Sequence, residues 1–316
     1  MPEGTSVGSD GYRTFLVVNP RSGGGFTGRC FGRIAEHVRA NVGDFEFGYT
    51  ERPGHATVLT RDALKNGYEM IIAVGGDGTF NEVVNGFFEG ARPTNPDAVF
   101  GIIPRGTGGD LRRTLGVPKD LRAACAVLAG PQKRCMDVGH MTFTSHEGRI
   151  AERVFINIAS FGVAGLVVDR VNKATKILGG RASFMIGSVK ALMQYRDQMI
   201  TLRLDERDPF TVPITALAIC NGRYFGGGMQ VAPGAVMDDG EFDVTTWAGF
   251  KLKDFVLSSR MLYDGTHLQD ARTRSDRCKV IRLESEETVL IDMDGEQPGR
   301  LPAEITLIPR ALKVKC

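Results

Sequence analysis

Apolar positions in the N-terminal part of the chain follow two alternating rhythms. Thr14–Asn19 is a β-branched, apolar run that ends in Asn-Pro, and Phe31–Val42 then repeats its apolar residues with a helical period. Phe45–Thr50 reads as a strand, Ala56–Lys65 as a helix and Met70–Val74 as a buried strand, followed by a helix from Thr79 to Phe88. Val99–Pro104 is another buried strand, with helical segments near Leu111–Leu115 and Leu121–Leu128. Short strands apolar on both faces, alternating with helices, predict a parallel sheet covered on both sides. On such sheets ligands sit at the carboxyl ends of the strands.

The rhythm changes after about Arg134. Val154–Ile158, Ile200–Leu204, Val212–Cys220, Phe242–Thr246, Val280–Glu284, Val289–Ile291 and Ile305–Ile308 all read as strands. Two long helical regions, Val163–Ile177 and Ala182–Met193, and a shorter one near Asp254–Tyr263 interrupt them. Runs of strands separated by turn residues predict a mainly antiparallel domain. The chain is thus expected to be α/β, with an α/β domain over residues 12–137 and a β-rich domain over 138–316. The boundary falls near Arg134–Gly139, and the last strand is allowed to return to the first domain. No internal repeat or low-complexity segment is present.

Composition narrows the function class. The chain has 316 residues, 42% hydrophobic and 24% charged, as expected of a soluble globular protein with real cores. Lys plus Arg number 39 against 37 Asp plus Glu, a balance that argues against a nucleic-acid binder. The six cysteines show no C-x-x-C spacing and no histidines that would complete a zinc site, which suits a reducing cytoplasm. Met1–Gly11 is polar and glycine-rich, without the apolar core of a signal peptide, and no stretch reaches the roughly 20 apolar residues of a spanning helix.

Three glycine-rich segments each follow a predicted strand. The first, Asn19-Pro20-Arg21-Ser22-Gly23-Gly24-Gly25-Phe26-Thr27-Gly28, contains a formal G-x-G-x-x-G. Four residues separate its first glycine from the strand, so it reads as a flexible loop that wraps phosphates by backbone N–H groups rather than as a dinucleotide fingerprint. The second is Gly75-Gly76-Asp77-Gly78-Thr79, with Thr79 expected to cap a helix and Glu82 to close a capping box. A carboxylate beside phosphate has a use if it holds Mg²⁺ or orients a nucleophile, which singles out Asp77. The third, Pro104-Arg105-Gly106-Thr107-Gly108-Gly109-Asp110-Leu111-Arg112-Arg113, adds arginines on the first helical turn, expected to face an anion. No G-x-x-x-x-G-K-[ST] occurs, which excludes a P-loop enzyme.

Gly75–Thr79 continued by Asn81-Glu82-Val83-Val84-Asn85-Gly86, together with Pro104–Leu111, resembles the diacylglycerol kinase catalytic domain. From Phe15 to Val314 the chain looks like the bacterial soluble lipid kinases of the diacylglycerol/YegS type, relatives of sphingosine and ceramide kinases. The resemblance implies an ATP-binding α/β domain of the NAD-kinase type and a β-sandwich domain, with the active site between them. It implies ATP contacts from Asn19, Thr50, Gly75, Gly76, Asp77, Gly78, Thr79, Asn81, Glu82, Gly106, Thr107, Asp110 and Arg113. It further implies an Mg²⁺–water network on Asp77, Asp110 and Asp137. A structural Mg²⁺ would take the Asp239 carboxylate and the carbonyls of Val236 and Glu241. The family usually has asparagine where this chain has Gly109, which puts full activity in question.

Ile291-Asp292-Met293-Asp294-Gly295-Glu296 follows an apolar strand. In the family its Asp-Gly-Glu reaches the cleft, and a lipid hydroxyl attacking phosphorus must lose a proton. Glu296 is assigned as the acceptor with Asp294 close behind, and the sequence leaves the division between them open. Leu166–Met199 carries six basic residues among apolar ones, consistent with docking on an anionic bilayer or with ordinary packing. Tyr224–Met229 is either a lipid entrance or a glycine turn. The expectation is an ATP- and Mg²⁺-dependent lipid kinase, cytoplasmic and peripherally bound to membranes, with diacylglycerol as the expected acceptor and phosphatidic acid the product, and with homodimerisation left open. The rival readings are an NAD-kinase-type enzyme and a weakly active lipid- or nucleotide-binding regulator.

Overall fold

The computed structural model describes residues 11–166, 195–251, 254 and 260–316. The expected helices over Val163–Ile177 and Ala182–Met193 fall largely or wholly outside these residues, as does half of Asp254–Tyr263. The chain divides into two units, one made of residues 1–136 with Arg310–Cys316 and the other of Asp137–Pro309.

The first unit runs β1 (Thr14–Val18), α1 (Phe26–Arg29), α2 (Phe31–Asn41), β2 (Phe45–Tyr49), α3 (His55–Lys65), β3 (Met70–Gly75), α4 (Asp77–Gly86), the short pair β4 (Phe88–Glu89) and β5 (Arg92–Pro93), β6 (Val99–Pro104), α5 (Asp110–Leu115) and α6 (Leu121–Ala129). Its strands pair in parallel in the order β2-β1-β3-β6. Lys313 and Val314, from the end of β19 (Gly299–Val314), add a further parallel edge against Val99 and Phe100.

Every residue of β3 and β6 is buried, as the unbroken apolar runs require of strands covered on both faces. Leu16, Val18, Met70, Ile72 and Val74 turn to one face, where Ile34 and Val38 of α2 and Leu128 of α6 cover them. The alternate residues, Ile71 and Ala73 among them, turn to the face carried by α3 and α4. The Asp120 carboxylate accepts the Ala123 N–H at 2.9 Å and caps α6.

The second unit holds β7 (Arg134–Ser145), β8 (Ile150–Phe155), β9 (Ile158–Gly162), β10 (Gln198–Leu204), β11 (Phe210–Ile214), β12 (Ala216–Cys220), the short hairpin β13 (Tyr224–Phe225) and β14 (Met229–Gln230), β15 (Phe242–Trp247), β16 (Thr273–Cys278), β17 (Val280–Glu284), β18 (Ile291–Met293) and most of β19. One sheet runs β11-β10-β17-β19, with β7 and β8 beyond. The other, wholly antiparallel, runs β16-β15-β12-β9-β18. Phe155, Phe161, Ile200, Leu202, Ile219, Phe242, Leu283 and Ile305 fill the core between the two sheets, which makes this unit a sandwich.

Several boundaries differ from expectation. The Val212–Cys220 run breaks at Thr215 into β11 and β12, which lie in different sheets. The Val154–Ile158 run is likewise the end of β8 and the start of β9. β7 and β16 were not expected, because charged residues interrupt their apolar alternation. The helix after β3 starts at Asp77 rather than Thr79.

Candidate active site

The order β2-β1-β3-β6 places a switch in chain direction between β1 and β3, the place where parallel sheets bind ligands. The loops after β1, β3 and β6 meet there by direct backbone approach. The Asn19 N–H donates to the Val74 carbonyl at 3.0 Å, bridging the ends of β1 and β3. The N–H groups of Arg105 and Gly106 both donate to the Gly75 carbonyl, at 2.6 and 3.1 Å. A Cβ on Gly106 would stand 2.6 Å from the Gly76 Cα, and one on Gly23 would stand 2.8 Å from the Arg105 carbonyl oxygen. A Cβ on Gly75 would meet the Thr79 Oγ1 at 2.5 Å. These glycines are therefore demanded by the contact between loops.

Polar side chains tie the loops further. Asn19 Nδ2 donates to Thr79 Oγ1 at 3.0 Å. The Asp77 carboxylate accepts from the Gly109 N–H at 2.7 Å and the Leu111 N–H at 3.2 Å, so it caps the start of α5 from another loop. The expected local capping at α4 does not form: no side chain caps it, and its cap position is Gly76. Thr79 is instead the partner of Asn19, and the Glu82 carboxylate accepts the Ala56 N–H of α3 at 3.1 Å. Both groups found longer-range partners that a local pattern does not reveal.

Asp110, largely buried, pairs with Arg113 at 2.9 Å, and the same guanidinium nitrogen donates to the Gly108 carbonyl at 2.7 Å. Arg113 is thus turned onto its own loop. Thr107 lies exposed at the rim and Thr50 half-exposed just past β2, its N–H donating to the Val18 carbonyl at 2.9 Å. Asn81 is buried, and its side-chain oxygen accepts from Asn85 Nδ2 at 3.1 Å. Gly78 lies in the first turn of α4.

The second unit contributes a different set of groups. Asp294 (φ 49°) and Gly295 (φ 89°) are both left-handed, and Met293 and Glu296 exchange both backbone hydrogen bonds, at 2.8 and 3.0 Å. That is a two-residue I′ hairpin turn, for which Asp-Gly is the favoured sequence. The Asp294 carboxylate accepts from the N–H groups of Ile156 (3.1 Å), Asn157 (3.2 Å) and Ile158 (2.8 Å). Its oxygens are committed to the backbone, whereas Glu296 is exposed.

Asp137 is fully buried, and its carboxylate accepts the Gly240 N–H at 2.7 Å. It belongs to the second unit, Asp77 and Asp110 to the first. In the turn after Met237, Asp239 is ion-paired with Arg277 of β16, and Glu241 meets the same guanidinium at 3.1 Å. Arg277 supplies the positive charge that a structural Mg²⁺ was expected to bring, so a cation on Asp239 would have to displace it. Among the described residues no three His, Cys, Asp or Glu side chains gather as a metal-ligand set.

The Asp77 and Asp110 carboxylates, though engaged by the Gly109 and Leu111 N–H groups and by Arg113, approach each other beside Gly108. A Cβ at Gly108 would meet an Asp77 oxygen at 2.8 Å and an Asp110 oxygen at 3.8 Å, so glycine leaves an acidic hollow between them. Mg²⁺ keeps most of its waters and uses one or two carboxylates with substrate phosphates.

Three residues here escaped the sequence reading: Arg277, Ser160 and Asp292. Asp292 had a signal, since it is an acid inside the apolar run Val289–Met293. It is nearly fully buried and accepts from Ser160 Oγ at 2.8 Å.

Comparison with known proteins accords with this geometry. Residues 13–141 match the diacylglycerol kinase catalytic domain, and residues 157–316 match the YegS C-terminal NAD kinase beta sandwich-like domain. A diacylglycerol kinase of Staphylococcus haemolyticus (strain JCSC1435) is 30% identical, over 95% of this chain and 86% of that protein. A diacylglycerol kinase of Bacillus subtilis (strain 168) is 28% identical, over 96% and 95%. The crystal structure of a diacylglycerol kinase from Bacillus anthracis str. Sterne superposes with TM-score 0.70 at 22% identity, covering 96% of each chain. Among the described residues no helix is long and apolar enough to cross a membrane. Glycine loops joined at the sheet's switch point, an acidic hairpin turn in a sandwich and this likeness along both units agree: the chain belongs to the diacylglycerol kinase catalytic-domain family and is a lipid kinase.

Proposed function

We propose that the protein transfers the γ-phosphoryl group of ATP to the primary hydroxyl of a lipid, with diacylglycerol as the acceptor and phosphatidic acid as the product. The observation that carries the nucleotide half is the backbone contact between the Gly75–Gly76 and Arg105–Gly106 loops at the carboxyl ends of β3 and β6. Such loops present N–H groups and the N-terminus of α4 to phosphate oxygens. Asp77 and Asp110 are the groups we assign to Mg²⁺, which when bound neutralises phosphate charge. Asp137, in the second unit, completes that assignment, and Arg277 argues against a second ion at Asp239.

In the chemical step the lipid hydroxyl oxygen forms a bond to the γ-phosphorus. The bond from that phosphorus to the β-phosphate oxygen breaks, and ADP leaves. The hydroxyl proton passes to a carboxylate, for which we choose Glu296. The choice rests on the engagement of Asp294 with three backbone N–H groups, against the exposure of Glu296. Diacylglycerol is favoured because the similar proteins carry that name. A lipid acceptor requires contact with a membrane surface, and the basic, apolar run Leu166–Met199, most of which lies outside the described residues, is the segment we assign to it on the cytoplasmic side.

The test is incubation with labelled ATP, Mg²⁺ and a panel of diacylglycerol, phosphatidylglycerol and a sphingoid base, with products resolved by chromatography. Label in phosphatidic acid is expected. Label only in another lipid would reassign the substrate, and no labelled lipid beside an active control enzyme would remove ATP-dependent lipid transfer.

A further inference from the structure

The Asp294–Gly295 turn is held from behind by a carboxylate that the reaction does not itself require. Asp292 lies on β18 directly opposite Ser160 of β9 in the antiparallel register. One oxygen of its carboxylate accepts the Ser160 hydroxyl at 2.8 Å, the other the Gly295 N–H at 2.9 Å. Ser160 and Asp292 are 1% and 7% exposed, so water does not compete for these bonds. Gly295 immediately precedes Glu296, and its left-handed backbone (φ 89°) is the pivot that aims the following residue.

We propose that Asp292 is a positioning residue for Glu296: it anchors the Gly295 backbone to β9 through Ser160, and its charge tunes the neighbouring carboxylate. The inference rests on Glu296 as the proton acceptor.

The surroundings of Asp292 make its charge state responsive to pH. Burial pushes its carboxyl up to about 7, the Ser160 and Gly295 hydrogen bonds oppose that rise, and the Asp294 and Glu296 charges add to it. The facing strand β9 brings Ile158, Ala159, Ser160, Phe161 and Gly162, none of which titrates, and the return arm sets Arg300 opposite Leu290. Ionised Asp292 places a negative charge behind Glu296, which makes Glu296 the stronger base. Protonated Asp292 removes that charge while its other oxygen still accepts from Gly295. The lipid kinase should therefore gain turnover as pH rises through neutrality, well above the range in which an ordinary glutamate titrates.

The test compares four variants of the full chain with ATP, Mg²⁺ and diacylglycerol vesicles, measuring kcat and the KM for ATP from pH 5.5 to 8.5. Wild type should show a step near neutral pH of about three- to tenfold in kcat. Asp292→Ala should lower kcat by about 10- to 100-fold with the KM for ATP unchanged, the loss expected when a catalytic group is slightly misplaced. Asp292→Asn, which can still accept from Gly295 and now donates to Ser160, should restore kcat to its low-pH wild-type level and abolish the step. Ser160→Ala, which leaves the fold's packing nearly intact, should move the midpoint of the step to higher pH because the anion loses a donor. Wild-type kcat in Asp292→Ala, or a step that persists in Asp292→Asn, would overturn the proposal. If Asp292→Ala does not fold, Asp292→Asn and Ser160→Ala decide it. Glu296→Gln, run alongside, tests the underlying reading separately: activity there would remove Glu296 as the base whatever the Asp292 variants do.

Discussion

Gly76 and Gly106 touch backbone to backbone, so that a Cβ on Gly106 would stand 2.6 Å from the Gly76 Cα. Neither atom is the end of a flexible side chain, so an alanine at Gly106 must push two loops apart. Gly106→Ala is expected to destabilise the protein by about 1–3 kcal/mol, the usual cost of overpacking. It should also weaken ATP binding at least tenfold, because the N–H groups we propose for the phosphates move with the loops. Urea unfolding and calorimetric ATP titration measure the two effects, and wild-type ATP affinity in a folded variant would contradict the loop contact as the nucleotide grip.

Asp77 joins the loop after β3 to the start of α5 through the Gly109 and Leu111 N–H groups. Asp77→Ala leaves both donors without this partner, a loss of about 1–3 kcal/mol. Asp77→Asn retains one acceptor oxygen and should lose less stability. Both should lose transfer if the carboxylate also serves Mg²⁺. Melting curves and initial rates over a range of Mg²⁺ concentration separate the structural loss from the chemical one.

The two acids of the I′ turn should part company on mutation. Glu296→Gln should fold normally, bind ATP nearly as wild type does and lose transfer by about 100-fold or more, the scale of a missing general base. Asp294→Ala should instead lose stability by a few kcal/mol, on the order of 1–3 for each group left unsatisfied and less where water reaches it, since three backbone donors lose their acceptor. Unfolding curves and single-turnover transfer resolve the two outcomes, and equal stability of the pair would contradict the assignment.

Asp292 also makes stability depend on pH. Its folded carboxyl sits at about 7, above the ordinary 3.8, chiefly through burial. The folded state therefore holds this proton more tightly than the unfolded state does. Its contribution is most favourable below the unfolded value and is lost as pH rises from about 4 to about 7. Asp292→Asn has no such proton to lose. Its stability should gain on wild type across that window and stay ahead above it, by at most about 4 kcal/mol. Parallel unfolding curves at pH 5 and pH 8 check the sign: a gap that narrows with rising pH would refute it.

Gly109 is left-handed (φ 69°), and its N–H is engaged by Asp77. Asparagine is the side chain that tolerates this backbone best. Its Cβ would meet the Arg112 Nε at 2.8 Å, a movable side chain. Gly109→Asn is thus expected to fold with a loss below about 1 kcal/mol. Because the Gly109 backbone already performs the contact with Asp77, turnover should change by less than about threefold. A large gain in labelled phosphatidic acid would instead mark the parent as a weakened enzyme.

The parallel sheet was legible because its strands are continuous apolar runs: Met70–Val74 and Val99–Pro104 admit few other readings. The glycine loops were legible for the same local reason, since clustered glycines beside an acid and a threonine have few structural uses. What escaped was long-range. Thr79 and Glu82 fit a capping box by spacing, yet their partners are Asn19 and Ala56 in other segments. Arg277 reaches Asp239 and Glu241 across β15 and β16, a relationship written in strand register and not in spacing. β7 carries the fully buried Asp137 and β16 buries only Cys278, so neither shows the apolar alternation that marks a half-buried strand. Asp292 was visible as an acid in an apolar run, but its use became evident only when β18 was seen paired with β9.

Residues 310–316 bear on how this protein is made. They belong to the first unit, where Lys313 and Val314 pair with β6 and the buried Lys315 ammonium donates to the Gly130 carbonyl. β6 leads directly into the Arg105–Gly106 loop. On the ribosome, the segment through Met136 emerges well before these residues, a delay on the order of ten seconds. During that interval the β6 edge that β19 will cover has no strand beside it, and the fragment has the character of a sticky folding intermediate. The unit that carries the glycine loops thus waits for translation of the whole sandwich before its own sheet is closed.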